Sequence, residues 1–210
     1  LFEGKRVVGV AARQNGEAVT FRCRGEVILS TGAILTPKIL QLSGIGPGEH
    51  LRAKGIPVVA DSPDVGRRMR DHLGFLLPFR LKNDKGLNHR FQGIGLVKSV
   101  LQYYLLKSGP MATGPFEVGA FFRTAPQVSR PDAQLYLSAF TYPRSEDNFP
   151  VPDGVEDKPG VTAYGQLLRL TSEGSVMVSS PDPQAALEVT PNWLSTEEDC
   201  LAAVNMVKYM

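Results

Sequence analysis

Long apolar runs and an excess of charge of one sign are both missing from these 210 residues. A membrane-spanning helix needs about 18 or more mainly apolar residues in a row, and no stretch approaches that, so no transmembrane span is expected. Basic and acidic side chains nearly balance, 23 against 21, which gives no general polyanion-binding character and argues against a nucleic-acid partner. Cysteine is scarce: Cys23 and Cys200 lie far apart, without metal-ligand spacing. Two readings stay open for them, free thiols of a reduced cytoplasmic protein, which is the favoured location, or a single disulfide. The first residue is not Met and Leu1–Phe2–Glu3–Gly4 has no signal-peptide shape, a start that leaves a removed leader open. Internal repeats and low-complexity tracts are absent as well. The three histidines, two cysteines and the acids form no cluster with metal-ligand spacing, so no metal is expected.

What is present is an ordinary globular composition, 42% hydrophobic and 21% charged, enough for a sizeable core in one large or two small domains. Val7–Val10, the turn Asn15–Gly16 and Val19–Cys23 predict a β-hairpin. Glu26–Val27–Ile28–Leu29–Ser30 reads as a strand buried on both faces, as in a parallel sheet. Thr36 as N-cap and Pro37 in the first helical position predict a helix start there. Its stripe, Ile39, Leu40 and Leu42, ends at Ser43–Gly44–Ile45–Gly46–Pro47–Gly48. A short helix from Glu49 to Lys54 follows, closed by Gly55, before an extended exit at Ile56–Val59.

Beyond Gly74 the texture changes. Phe75–Leu81 is apolar and extended, and Leu96–Leu106 has helical spacing. Strand-like runs follow at Phe116–Phe122, Leu135–Phe140, Val161–Leu170 and Ser175–Ser179, with Thr171–Gly174 read as a turn of a meander. Ser145–Gly160 reads as a long surface loop, and Glu197–Met210 as a helix capped by Ser195–Thr196. Strand–helix order giving way to strand-rich order predicts an α/β part joined to an antiparallel α+β part.

On its own chemistry the turn Thr31–Gly32–Ala33 has two readings. It is an ordinary strand-to-helix turn, or its small residues and free helical N–H groups admit a ligand to the backbone. Arg67–Arg68–Met69–Arg70 is likewise either a solvated, salt-bridged surface or a phosphate contact. Glu117 is either a strand carboxylate paired with an arginine or an acid facing a substrate cavity. His50 and His89 read as surface residues.

A resemblance narrows these alternatives. Gly32–Ala33–Ile34–Leu35–Thr36–Pro37–Lys38–Ile39–Leu40–Gln41–Leu42–Ser43–Gly44–Ile45–Gly46 resembles the second signature of the glucose-methanol-choline (GMC) oxidoreductase family. Val65–Gly66 with Asp71–His72 is similar to the family's "VG-x-x-x-x-DH" segment, with Met69 where Leu is usual. Glu117-x-Gly119-x-Phe121 resembles a stretch of the substrate domain of choline-type members. Ser172–Glu173–Gly174–Ser175–Val176, Ser180–Pro181–Asp182–Pro183 and Pro191–Asn192–Trp193–Leu194 resemble its later hairpin and return. The stretch Asn83–Pro110 carries no motif of the family.

The resemblance implies an α/β FAD-binding part over residues 1–73 and an α+β substrate domain with an antiparallel sheet over 74–210. The implied reaction oxidises the CH–OH group of a small-molecule alcohol by hydride transfer to flavin N5. Thr31, Gly32, Ala33, Asp71 and His72 are the implied cofactor-binding residues, with His72 structural or beside the flavin rather than a proton carrier. Glu117 is the implied substrate residue, suited to a cationic or polar alcohol, although nothing near Arg169–Leu170–Thr171 supplies a second imidazole, which puts choline itself in doubt. No G-x-G-x-x-G phosphate loop is present, since Gly93–Ile94–Gly95 has only two of the glycines, and no residue matches the family's catalytic histidine. The expectation is an internal piece of a flavoenzyme, inactive alone. The same absences suit a second reading, a non-catalytic binding domain derived from this family.

Overall fold

A computed structural model describes residues 1–144 and 154–210, and most of the loop expected at Ser145–Gly160 lies outside them. The strands are β1 (Phe2–Glu3), β2 (Arg6–Val7), β3 (Gly9–Gln14), β4 (Glu17–Arg22), β5 (Ile45–Gly46), β6 (Ala60–Asp61), β7 (Arg67–Met69), β8 (Gly74–Arg80), β9 (Val118–Phe122), β10 (Ala133–Ser138), β11 (Gly160–Leu167), β12 (Gly174–Val178) and β13 (Leu187–Thr190). The helices are α1 (Gly32–Leu42), α2 (Gly48–Ala53), α3 (Gly93–Leu106) and α4 (Glu197–Tyr209), with a 3-10 turn at Asn88–Phe91. Among the described residues, no helix is long and apolar enough to cross a membrane. The chain divides into two units, residues 1–71 with 172–193, and residues 72–171 with 194–210. Residues 172–193 thus return to the first unit, a path that a single cut of the sequence does not express.

In the first unit, β3 and β4 form the expected hairpin, and Asn15 and Gly16 both take positive φ at its turn (51° and 87°). Residues 26–30 differ from expectation: they form no strand, and Ile28 is 78% exposed. A doubly buried strand needs neighbours on both edges and cover on both faces, and the described residues supply neither. Helix α1 begins at Gly32 rather than Pro37, with Thr31 as its N-cap. Pro37 therefore lies inside the helix, where its missing N–H leaves the Ala33 carbonyl without its usual intrahelical partner. The carbonyl belongs to an exposed residue, so water can satisfy it.

Helix α1 lies against β12, the centre of the antiparallel order β13–β12–β7. Leu51, Ile56 and Val178 form the local core, joined by Leu42, Val58 and Leu187. Parallel pairing is confined to the two-residue bridge β5–β6, so the described part of this unit is mixed helix with mainly antiparallel strands. His50, expected at the surface, is half-buried, and its Nε2 lies 2.9 Å from the Val178 carbonyl, tying α2 to β12.

The second unit is built on a four-stranded antiparallel sheet in the order β8–β11–β10–β9. Its pairing partners differ from the expected meander. Strand β11 pairs with β8 and β10, whereas β12 pairs with β13 and β7, so Thr171–Gly174 links two sheets rather than neighbouring strands of one. Leu135, Ala133, Phe75, Leu167 and Phe122 line one face, onto which α4 packs Ala203, Met206 and Met210. Burying a side chain such as Met206 contributes about 1.5–3 kcal/mol. Thr196 caps α4 as expected, accepting a hydrogen bond from the Asp199 amide at 3.3 Å. Buried Asp199 in turn accepts from the Thr171 amide (2.9 Å) and hydroxyl (3.1 Å).

Candidate functional site

The turn before α1 is open. Gly32 has φ of +86°, a region side-chain-bearing residues avoid, and a Cβ there would meet nothing within 4 Å. No side chain caps the helix start and no acid sits in its first turn. The Thr31 and Thr36 hydroxyls lie 3.1 Å apart, so Thr36, expected to cap a helix, instead partners Thr31. Exposed Thr31, Gly32 and Ala33 therefore present free backbone donors at the positive end of an eleven-residue helix dipole. That arrangement is suited to an electron-rich group, and the ring carbonyls and phosphates of a flavin dinucleotide, all acceptors, are chemically compatible with it.

The rest of the signature holds the turn in place. Gln41 is fully buried; its Nε2 donates to the Val176 carbonyl (2.9 Å) and its Oε1 accepts from the Val178 amide (3.2 Å). One amide side chain thus clamps α1 onto β12. Gly66 passes so close that a Cβ would lie 2.3 Å from the Val176 oxygen and 2.4 Å from Gln41 Nε2. Gly44, at φ +83°, would collide with the Pro57 carbonyl at 2.4 Å. These are packing requirements, a role that sequence reading did not separate from cofactor contact.

Asp71 and His72, both exposed, stand at the boundary of the two units, Asp71 ending the first segment of one and His72 beginning the other. Thr31, Gly32, Ala33 and Asp71 thus belong to the first unit, and His72 and Glu117 to the second. The basic knot beside them is salt-bridged: Arg70 Nη2 lies 2.6 Å from Glu173 Oε1, and Arg68 Nε lies 3.4 Å from Oε2. The Arg70 hydrogen bond, with Arg68 adding its charge, holds the Glu173 carboxyl below the usual carboxylate range.

Glu117 is exposed and takes a hydrogen bond from the Thr113 hydroxyl at 3.0 Å, so its side-chain partner among the described residues is a threonine rather than an arginine. Its amide donates to the Leu137 carbonyl (3.3 Å), tethering it to the edge of β10. The sheet face opposite α4 carries Gln134 and Tyr136 of β10 with Tyr164 and Gln166 of β11. Phe116 lies against Tyr136 and Tyr164, with ring centroids 5.3 and 5.9 Å away. Tyr164 donates to Gln166 Oε1 and Gln166 to Gln134 Oε1, each at 3.1 Å. This aromatic and amide-lined face went unrecognised in the sequence. The signal was the alternation Ala133/Gln134/Leu135/Tyr136 and Ala163/Tyr164/Gly165/Gln166, which separates two faces once β10 and β11 are paired.

Residues 1–74 match the family model described as GMC oxidoreductase. The chain is 33% identical over 203 residues to "Oxygen-dependent choline dehydrogenase 1" of Chromohalobacter salexigens, covering 94% of this chain and 34% of that protein. It is 34% identical over 199 residues to "Oxygen-dependent choline dehydrogenase" of Pectobacterium carotovorum, covering 95% and 34%. Among solved structures it resembles formate oxidase of Aspergillus oryzae, in a study of FAD modification, with a TM-score of 0.82 and 26% identity, covering 98% of this chain and 40% of the other. Pyridoxine 4-oxidase from Mesorbium loti shares the fold at a TM-score of 0.74 and 22% identity, over 99% and 36%. The chain belongs to the GMC oxidoreductase family, a family of flavoproteins whose cofactor is FAD. It spans about a third of the length of the curated relatives it matches.

Proposed function

We propose that the chain is part of an FAD-dependent oxidoreductase acting on the CH–OH group of a small alcohol. The observation that carries this reading is the open, uncapped start of α1 inside the family signature. When bound, FAD supplies the hydride acceptor, flavin N5. The Thr31, Gly32 and Ala33 backbone would hold the cofactor, and Asp71 and His72 are the further residues assigned to cofactor binding, His72 in a structural or flavin-side role rather than as a base. Glu117 is the substrate residue, its carboxylate attracting a polar or cationic alcohol. The rings of Phe116, Tyr136 and Tyr164 provide a nearby apolar wall that also suits a cation. No residue described here is assigned the proton-accepting role.

The test uses the longest reading frame that contains these residues, purified and assayed for bound flavin and for alcohol-dependent bleaching of its visible absorbance. Gly32→Val is expected to lower flavin content, because it strains a positive-φ position and fills the open approach. Glu117→Gln is expected to raise KM for a cationic alcohol more than for a neutral one, with kcat little changed. Full flavin content in Gly32→Val together with no bleaching by any alcohol would overturn the reading. The 210 residues expressed alone are expected to hold little or no FAD, since no phosphate loop is among them.

A further inference from the structure

Helix α3 is amphipathic in the reverse sense. Ile94, Val97, Leu101, Tyr104 and Leu105 recur at the spacing of one helical face, and each is 53% to 76% exposed. The polar side faces inward: Ser99 is fully buried and donates to the Arg90 carbonyl (2.8 Å), while Arg90 donates to Ser99 Oγ (3.2 Å) and Gln102 Oε1 (2.6 Å). Gly95 sits so tightly on this turn that a Cβ would lie 1.8 Å from the His89 carbonyl oxygen. The inward polar face is therefore built by specific packing, and the apolar stripe is its necessary outward counterpart.

Beside the stripe, His89, Arg90, Gly95, Lys98, Gln102 and Ile94 line an open cleft of about 540 Å³. No acidic residue occurs between Asp84 and Glu117, whereas Lys85, Arg90, Lys98 and Lys107 all do. Lys107 rests over the Tyr103 and Tyr104 rings, 5.2 and 5.3 Å from their centroids, so cation and aromatics share the C-terminal end of the helix. At fourteen residues α3 is about 21 Å long at 1.5 Å per residue, too short to span a bilayer and suited to lie along one.

We propose that α3 and its cationic cleft form a docking surface for an anionic lipid bilayer. The stripe enters the acyl boundary, Tyr104 sits at headgroup depth, and Lys98, Lys107 and the cleft meet lipid phosphates. A second copy of the chain answers the observations less well, because no acid within the segment is available to oppose Lys98 and Lys107 across the contact. A bilayer complements apolar stripe and positive charge together.

The experiment is co-sedimentation of the protein with vesicles of phosphatidylcholine alone and with phosphatidylglycerol added, alongside analytical ultracentrifugation without lipid. Binding is expected only with the anionic lipid, and to weaken as salt is raised. Leu101→Glu with Leu105→Glu should reduce it by about tenfold or more, and Lys98→Gln, an exposed change that leaves the fold intact, by about fivefold. Far-UV circular dichroism of each variant guards against unfolding. Absence of vesicle binding, equal binding to the neutral vesicles, Lys98→Gln binding like the parent, or a lipid-free dimer that dissociates in the Leu101 and Leu105 variant would each overturn the proposal.

Discussion

Gln41 concentrates more structure in one side chain than any other residue of the signature. Both ends of its amide are used, both on β12, and it is fully buried. Truncation leaves the Val178 amide unanswered and opens a void, so Gln41→Ala should lower stability by about 2–3 kcal/mol, measured by denaturant unfolding. Gly66→Ala should cost a comparable amount through its collision with the same clamp and its positive φ of 77°. Neither effect requires flavin, which separates the scaffold role of these residues from cofactor contact. Their importance was legible in the sequence as a motif, but their task was not, because the partner strand lies 135 residues further on.

Glu156 provides a second test at the same scale. Its carboxylate receives Arg80 Nη1 at 2.5 Å and Nη2 at 2.8 Å. The Arg80 hydrogen bond, against an opposing desolvation, holds the Glu156 carboxyl below its usual range, with Thr141 and Arg144 assisting. A carboxyl depressed in the folded state contributes stability that is present above its unfolded value of about 4.3 and is lost as pH falls through the lower folded value. Melting temperature should therefore drop as pH descends below that range, and Glu156→Gln should flatten the decline. An identical pH profile in the variant would assign the acid sensitivity elsewhere.

At the scale of elements, local chemistry was read well and distant pairing poorly. Asn15–Gly16 specifies its hairpin through positive φ at neighbouring positions, and Thr196 specifies the start of α4, so both were legible. Thr196→Ala should destabilise the second unit by about 1 kcal/mol, visible in thermal unfolding. The start of α1 was misplaced because Thr–Pro is a strong local signal, whereas Pro37 is tolerated within the second turn of a helix that begins earlier. Residues 26–30 carry the composition of a buried strand and lack partners among the described residues. The turn at Thr171–Gly174 looked local but joins sheets in different units, a fact of topology that no short window contains. Likewise the Gln134–Tyr136–Tyr164–Gln166 face exists only after register is set.

At the scale of the molecule, the interleaved path makes the units poor candidates for separation by truncation. Residues 1–71 alone lack β12 and β13, the bed on which α1 lies. Expressed by themselves they should show little cooperative unfolding, and adding residues 172–193 through a short linker should restore it. Equal cooperativity in both proteins would mean that the hairpin and helices hold together without the returning strands.

The same path sets a schedule during synthesis. Gln41 leaves the ribosome 135 residues ahead of Val176, its clamp partner. At about 5–20 residues per second, the helix bearing the family signature waits roughly 7 to 27 seconds before β12 can dock against it. Throughout that interval the face that later meets β12 is available to chaperones, or to a neighbouring nascent chain on the same messenger.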